Sequence, residues 1–134
     1  MSAPALEQIL TQAAEGLLFS SESDYPFTFF AWKKYCGKRL YARTVLRLLN
    51  LPPDTPIEKR KLENLFKRVT EIQDWFGEEE KATAKRFVAL QQTLTQQLAS
   101  VQVFRVGTIE IDVYIAGKTP EGYWAGLATK VIET

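Results

Sequence analysis

The sequence predicts an α/β fold, a three-layer α-β-α sandwich built on a mainly antiparallel central sheet, and three observations lead there. Apolar residues recur at helical spacing through most of the first hundred positions. The stretch Tyr25–Trp32 is aromatic and apolar on both faces, the pattern of a strand covered above and below. The last third changes period and alternates cleanly over Thr108–Ile115. At 134 residues, 46% of them hydrophobic, the chain has the length of a single domain, residues 1–134, and enough apolar material for a core of its own.

Each element has its own warrant. Over 4–18, Leu6, Ile9, Leu10, Ala13 and Leu17 share one helical face, with Gln8, Gln12 and Glu15 opposite. Gly16 falls near the end of that run, and Ser20-Ser21-Glu22-Ser23-Asp24 is a polar, turn-prone connection. Tyr25–Trp32 then reads as a strand, expected at the centre of its sheet. Leu40, Val45, Leu46 and Leu49 predict a short helix over 39–49, closed by Asn50 and the pair Pro52-Pro53. Thr55-Pro56-Ile57-Glu58 carries Thr, Pro and Glu at the N-cap, N1 and N3 positions of a helix running towards Val69, with Leu62, Leu65 and Phe66 inward. An extended connector over 51–60 fits the same residues. Asp74-Trp75-Phe76-Gly77 interrupts the pattern before the longest helix, 78–99, whose buried stripe is Ala84, Phe87, Leu90, Leu94 and Leu98. Its first turn holds Glu78, Glu79 and Glu80, where the helix dipole favours negative charge. Val101–Val106, Thr108–Ile115 and Tyr123–Ile132 complete an antiparallel meander. In its middle strand Ile109, Ile111, Val113 and Ile115 face one way, and Glu110, Asp112 and Tyr114 the other.

Composition removes several function classes. There is no histidine, so imidazole-dependent hydrolase schemes and His-ligated metal sites are excluded. The one cysteine, Cys36, has no disulfide partner and is expected as a small buried hydrophobe. No stretch approaches the ~18–20 apolar residues of a membrane span. The first residues lack a basic and then apolar leader pattern, so a cytoplasmic location is expected.

Charge is nearly balanced but unevenly spread. Residues 33–68 hold eleven Lys and Arg against three Asp and Glu, net +8, and the rest of the chain is net −7. A basic stretch points to phosphate binding. A pair of solvated helices explains it more simply.

Four features are candidates for function. Glu110 and Asp112 share a strand face, as an acid–base pair would, although an exposed polar face accounts for them as well. Trp75 sits between helices, where it serves either as an aromatic contact for a partner or as cover for the core. The loop Ser21-Glu22-Ser23-Asp24 presents two carboxylates to a partner, or serves only as a turn. Finally, Thr129–Thr134 runs straight from a strand, which would hold the Thr134 carboxylate near the fold as a positioned anion.

Longer motifs add to this. Gly16-Leu17-Leu18-Phe19-Ser20-Ser21-Glu22-Ser23-Asp24-Tyr25-Pro26-Phe27, Gln73-Asp74-Trp75 and Val103–Tyr114 are distinctive, as are Gly117-Lys118-Thr119-Pro120 and Ala125–Thr134. Taken in order, they resemble the nuclease A inhibitor family, over nearly the full length and most weakly between about 33 and 70. The resemblance implies an α-β-α sandwich and a stoichiometric inhibitor of a magnesium-dependent, sugar-non-specific ββα-metal nuclease. Such a protein has no catalysis, cofactor or metal of its own. It also implies that Glu22, Trp75 and Thr134 make the inhibitory contacts, with Ser21, Ser23 and Asp24 beside them, and that acidic groups approach the partner's magnesium. The departure is the basic middle, since an inhibitor of a phosphate-binding enzyme is expected to be acidic. A basic face turned away from the nuclease reconciles the two. Two other functions compete: a nucleic-acid-binding module using Lys33, Lys34, Lys38, Arg39, Arg43 and Arg47, and a hydrolase using Glu110 and Asp112 that lacks a nucleophile.

Overall fold

A computed structural model describes residues 3–20 and 22–133, without the side chains of Ala3 and Pro4. In order, the elements are α1 (Ala3–Ala14), β1 (Leu18–Ser20), β2 (Asp24–Pro26), β3 (Thr28–Trp32), α2 (Ala42–Leu48) and β4 (Ile57–Arg60). They continue with α3 (Leu62–Thr70), α4 (Glu78–Gln97), β5 (Ala99–Val106), β6 (Glu110–Lys118) and β7 (Trp124–Ile132). Five strands form one sheet in the order β3-β7-β6-β5-β4, every pairing antiparallel, and β1 and β2 form a separate hairpin. Among the described residues no helix is long and apolar enough to cross a membrane.

The meander β5-β6-β7 forms as its alternation predicts. Val103, Ile115 and Ala125 belong to one apolar cluster with Leu10, Phe66, Phe87 and Leu94. Their immediate neighbours Phe104, Ala116 and Trp124 belong to a second cluster with Leu40 and Val45. Successive residues of a strand point to opposite faces, so helices α1, α3 and α4 supply one face of the sheet and α2 the other. Gly126 is required by the close pairing of β6 and β7, because a Cβ there would run into the Ile115 carbonyl oxygen.

Four expectations need correction. First, the aromatic segment is not a central strand. It breaks at Phe27, and its second half, β3, is the edge of the sheet beside β7. Its double-sided apolar character survives because both clusters reach that edge: Phe29 and Ala31 pack on one, Phe30 and Trp32 on the other. Second, α1 stops at Ala14. Gly16, at φ +75°, takes the left-handed conformation that ends a helix, and Leu18 already belongs to a strand. Third, the helix signal at Thr55-Pro56 is overridden by pairing. Residues 57–60 lie along β5 from Ile57↔Val106 to Arg60↔Val103, Pro56 accepts a hydrogen bond from the Gly107 N–H, and α3 begins only at Leu62. Fourth, Ile109 is 56% exposed rather than in line with buried Ile111, Val113 and Ile115, because it lies in the turn before β6.

Register defines two ends of the sheet. The upper end holds Glu110 and Ile132, with Val106 two residues below them; the lower holds Trp32, Ala99, Lys118 and Trp124. Helix α4, about 30 Å long for its 20 residues, passes through Leu98 directly into β5, which puts its last turn at the lower end and its first turn at the upper.

Candidate functional site

Ser20 pairs with Asp24, so Glu22 and Ser23 lie in the connection of the β1–β2 hairpin. Glu22, Ser23 and Asp24 are exposed, and Glu22 and Ser23 both interact within the chain. The hairpin is braced from below. Phe19 points inward from β1, with its ring centroid 6.0 Å from Phe27 and 6.4 Å from Phe66. Phe66 of α3 and Phe87 of α4 close the cluster, 5.8 Å apart and 6.3 Å each from Phe27. Edge-to-face contacts of this kind add about 0.5–1.5 kcal/mol per pair beyond burial. On its other flank the hairpin lies beside β7, where the Thr129 hydroxyl donates to the Tyr25 carbonyl at 3.3 Å.

The same phenylalanines locate the 71–77 loop. Phe66 lies four residues before the end of α3 and Phe87 nine after the start of α4, so the loop joining these helices leaves the cluster on the upper side. Thr70 closes α3 by donating its hydroxyl to the Phe66 carbonyl at 2.8 Å. The Phe76 N–H donates to the Gln73 carbonyl, and the Gly77 N–H donates to the Glu80 carboxylate at 3.2 Å, one half of a capping box. Between these ties Trp75 is 74% exposed, touching Phe76 edge-on at 4.7 Å. A Trp this exposed does not cover the core, so the structural reading of Trp75 falls.

The end of β7 is pinned to the turn before β6. The Glu133 N–H donates to the Ile109 carbonyl at 2.9 Å, and the Glu133 carboxylate pairs with the largely buried Arg105 guanidinium. The Glu22 hairpin and the Trp75 loop thus both leave segments rooted in the phenylalanine cluster, and the hairpin lies beside β7, the strand that leads to Glu133. Ser21 and Thr134 lie outside the described residues.

A family model for nuclease A inhibitor-like proteins matches residues 4–134. The chain belongs to that family. No curated protein sequence matches it. The match agrees with the family resemblance carried by the motifs at both ends of the sequence, and a family of inhibitor proteins implies a nuclease as partner.

Of the remaining candidates in this nuclease A inhibitor-like protein, Glu110 stands at the upper end of β6 and Asp112 two residues below it. Glu110 and Asp112 do share a face, but Asp112 lies 4.0 Å from the Lys130 ammonium and both carboxylates are exposed. With Tyr25 and Tyr114, this ion pair lines a shallow hollow of about 320 Å³. Burial, and to a lesser degree the Asp112 carboxylate, pushes the Tyr114 phenol above its ordinary ionisation range. Cys36 is exposed, against expectation. Its loop is fixed instead by Gly37, whose carbonyl accepts from the Trp124 indole at 2.9 Å, and Leu40 takes the buried place.

Sequence reasoning overlooked three exposed apolar residues: Leu18 at the root of the hairpin (47% exposed), Ile72 in the α3–α4 connection (51%) and Ile109 before β6. An isolated isoleucine among Glu71, Gln73 and Asp74 was the available signal for Ile72. Ile109 was concealed by fitting the alternation of β6.

Proposed function

We propose that this chain occupies and blocks the active site of a magnesium-dependent, sugar-non-specific ββα-metal nuclease, its upper end held out by a three-layer α-β-α sandwich. One observation carries the reading: Trp75, in the connection between α3 and α4, is almost bare. Folding alone gives a Trp no reason to stand in solvent, whereas interfaces favour Trp as a buried anchor. A nuclease cleft is built to receive a phosphodiester beside a cation, and carboxylates supply the same charge. Glu22 is the principal acid, with its sequence neighbours Ser21, Ser23 and Asp24 as further partner contacts. Thr134, directly after the pinned Glu133, is the third contact that the family resemblance supplies. Leu18, Ile72 and Ile109 supply apolar rim around these contacts.

The basic middle of the chain fits this orientation. β3 ends at the lower edge with Trp32, so Lys33 and Lys34 lie away from the upper loops, while β4 ends halfway down the sheet, where Arg60 pairs with Val103 on the level of Ile115. Only Lys67 and Arg68, in the last turn of α3, approach the upper loops. The test is a titration of the protein into a ββα-metal nuclease at several magnesium concentrations. Loss of activity that is complete at one equivalent supports the proposal. Undiminished activity across a panel of such nucleases refutes it.

A further inference from the structure

All eleven Lys and Arg between positions 33 and 68 are exposed, and among the described residues only Arg60 has a carboxylate within ion-pair distance, Glu58 at 2.8 Å. Fold geometry collects several of the others. Helix α2 buries Thr44, Val45 and Leu46, leaving Arg43 and Arg47 on its outer side, one turn apart. Lys59 stands opposite Phe104 in the β4–β5 register, and Phe104 packs with Val45, so Lys59 projects from the α2 side of the sheet. The Trp124–Gly37 hydrogen bond holds the loop carrying Lys38 and Arg39 on that side too. Beneath the Arg43 guanidinium, at 4.8 Å, is the ring of Tyr41, itself 43% exposed. Of the sheet acids facing this way, Glu110 is at the far end from Trp124, and Asp112, on the level of Ile57 and two residues above Lys59, lies 4.0 Å from the Lys130 ammonium.

We propose that the α2 face is a second binding surface, for the phosphate backbone of nucleic acid. Like charges gathered without acids destabilise a fold slightly, and a repeating anion relieves that repulsion where one small phosphate reaches only part of it. Guanidinium groups match phosphate geometry with paired hydrogen bonds, and an exposed tyrosine stacked with arginine is a platform for an unpaired base. A lipid surface fits less well, because membrane-surface helices expose an apolar face and the apolar face of α2 is consumed by the core. The surface uses none of the residues assigned to the nuclease contact, so it stands or falls independently of that reading.

The test needs no nuclease. Anisotropy of labelled single-stranded and duplex DNA, each about 20 nucleotides long, is followed from about 20 to 200 mM salt, and binding is expected to weaken with a log–log slope near −0.9 per duplex phosphate neutralised, or −0.7 for a single strand. The triple variant Arg43→Gln/Arg47→Gln/Lys59→Gln should bind at least about tenfold more weakly and flatten the duplex slope by roughly 2–3. Arg47→Gln/Lys59→Gln, which spares the Arg43–Tyr41 contact, should give about two-thirds of that change. Circular dichroism verifies the fold of each variant, and Lys67→Gln/Arg68→Gln, on α3, should change affinity less than about twofold. No binding at the lowest salt overturns the proposal, as does binding that the triple variant leaves intact. Tighter capture by phosphatidylserine vesicles than by either DNA overturns it in favour of a membrane.

Discussion

The upper loops and the α2 face are both exposed and charged, but they are supported differently. Glu22 and Trp75 stand on short connections whose roots are clamped by four interlocking phenylalanines. Arg43 and Arg47 sit on a seven-residue helix, and Lys59 on an edge strand, with long flexible side chains in solvent. A braced tip suits one partner in one pose, since little ordering remains to be done on binding. Mobile cations suit a repeating charge whose register does not matter. The difference in support, more than the difference in sign, separates the two surfaces.

The largest test of that contrast removes the brace. Phe66 is fully buried, and Phe66→Ala should cost about 3–5 kcal/mol in urea denaturation. If bracing matters, amide exchange in residues 18–26 rises more than in α2; equal rises would mean that the cluster does not single out the hairpin. Next come the tips themselves. Trp75→Ala and Glu22→Ala should each weaken nuclease inhibition by about 2 kcal/mol or more, while the Trp75 change shifts stability by less than ~0.5 kcal/mol because that side chain is solvent-exposed. Inhibition equal to wild type in either variant removes that residue from the contact. Appending a few residues after Thr134 should weaken inhibition by about 1–2 kcal/mol if the chain end enters the cleft, and unchanged potency would exclude Thr134.

The smallest effects are expected where the sheet carries a polar face and no partner is proposed. Asp112→Asn breaks an exposed pair at 4.0 Å and should alter stability by no more than ~0.5 kcal/mol, with no effect on inhibition. The Tyr114 phenol should ionise above its unfolded value of about 10 in an ultraviolet titration. The fold favours its neutral form, so this contribution to stability is complete below about pH 10 and is lost as pH rises through the higher folded value. A phenol titrating at or below about 10 would contradict the burial of its ring.

Much of this architecture was readable residue by residue. The stripe Ala84, Phe87, Leu90, Leu94 predicted α4 almost to its ends, and the alternation from Ile111 to Ile115 predicted β6, because both periods report which side meets the core. The errors cluster where long-range pairing competes with a local signal. Thr55-Pro56 has the residues of a helix start, yet Ile57–Arg60 gains more by pairing with the distant Val103–Val106 of β5. For the candidate site, the residue types were legible at Glu22 and Trp75, but no local pattern indicates that positions more than fifty apart leave segments rooted in one phenylalanine cluster.

By itself, then, the sequence determined the kinds of element, the apolar faces, the absence of imidazole chemistry and the motifs that mark the family. Only the tertiary structure decided that β3 is an edge, that Trp75 stands in solvent, and that Lys59 joins the arginines of α2. These are consequences of register and of which surfaces bury one another. Register is fixed by contacts between distant segments, and a one-residue shift of β4 would turn Lys59 to the opposite face.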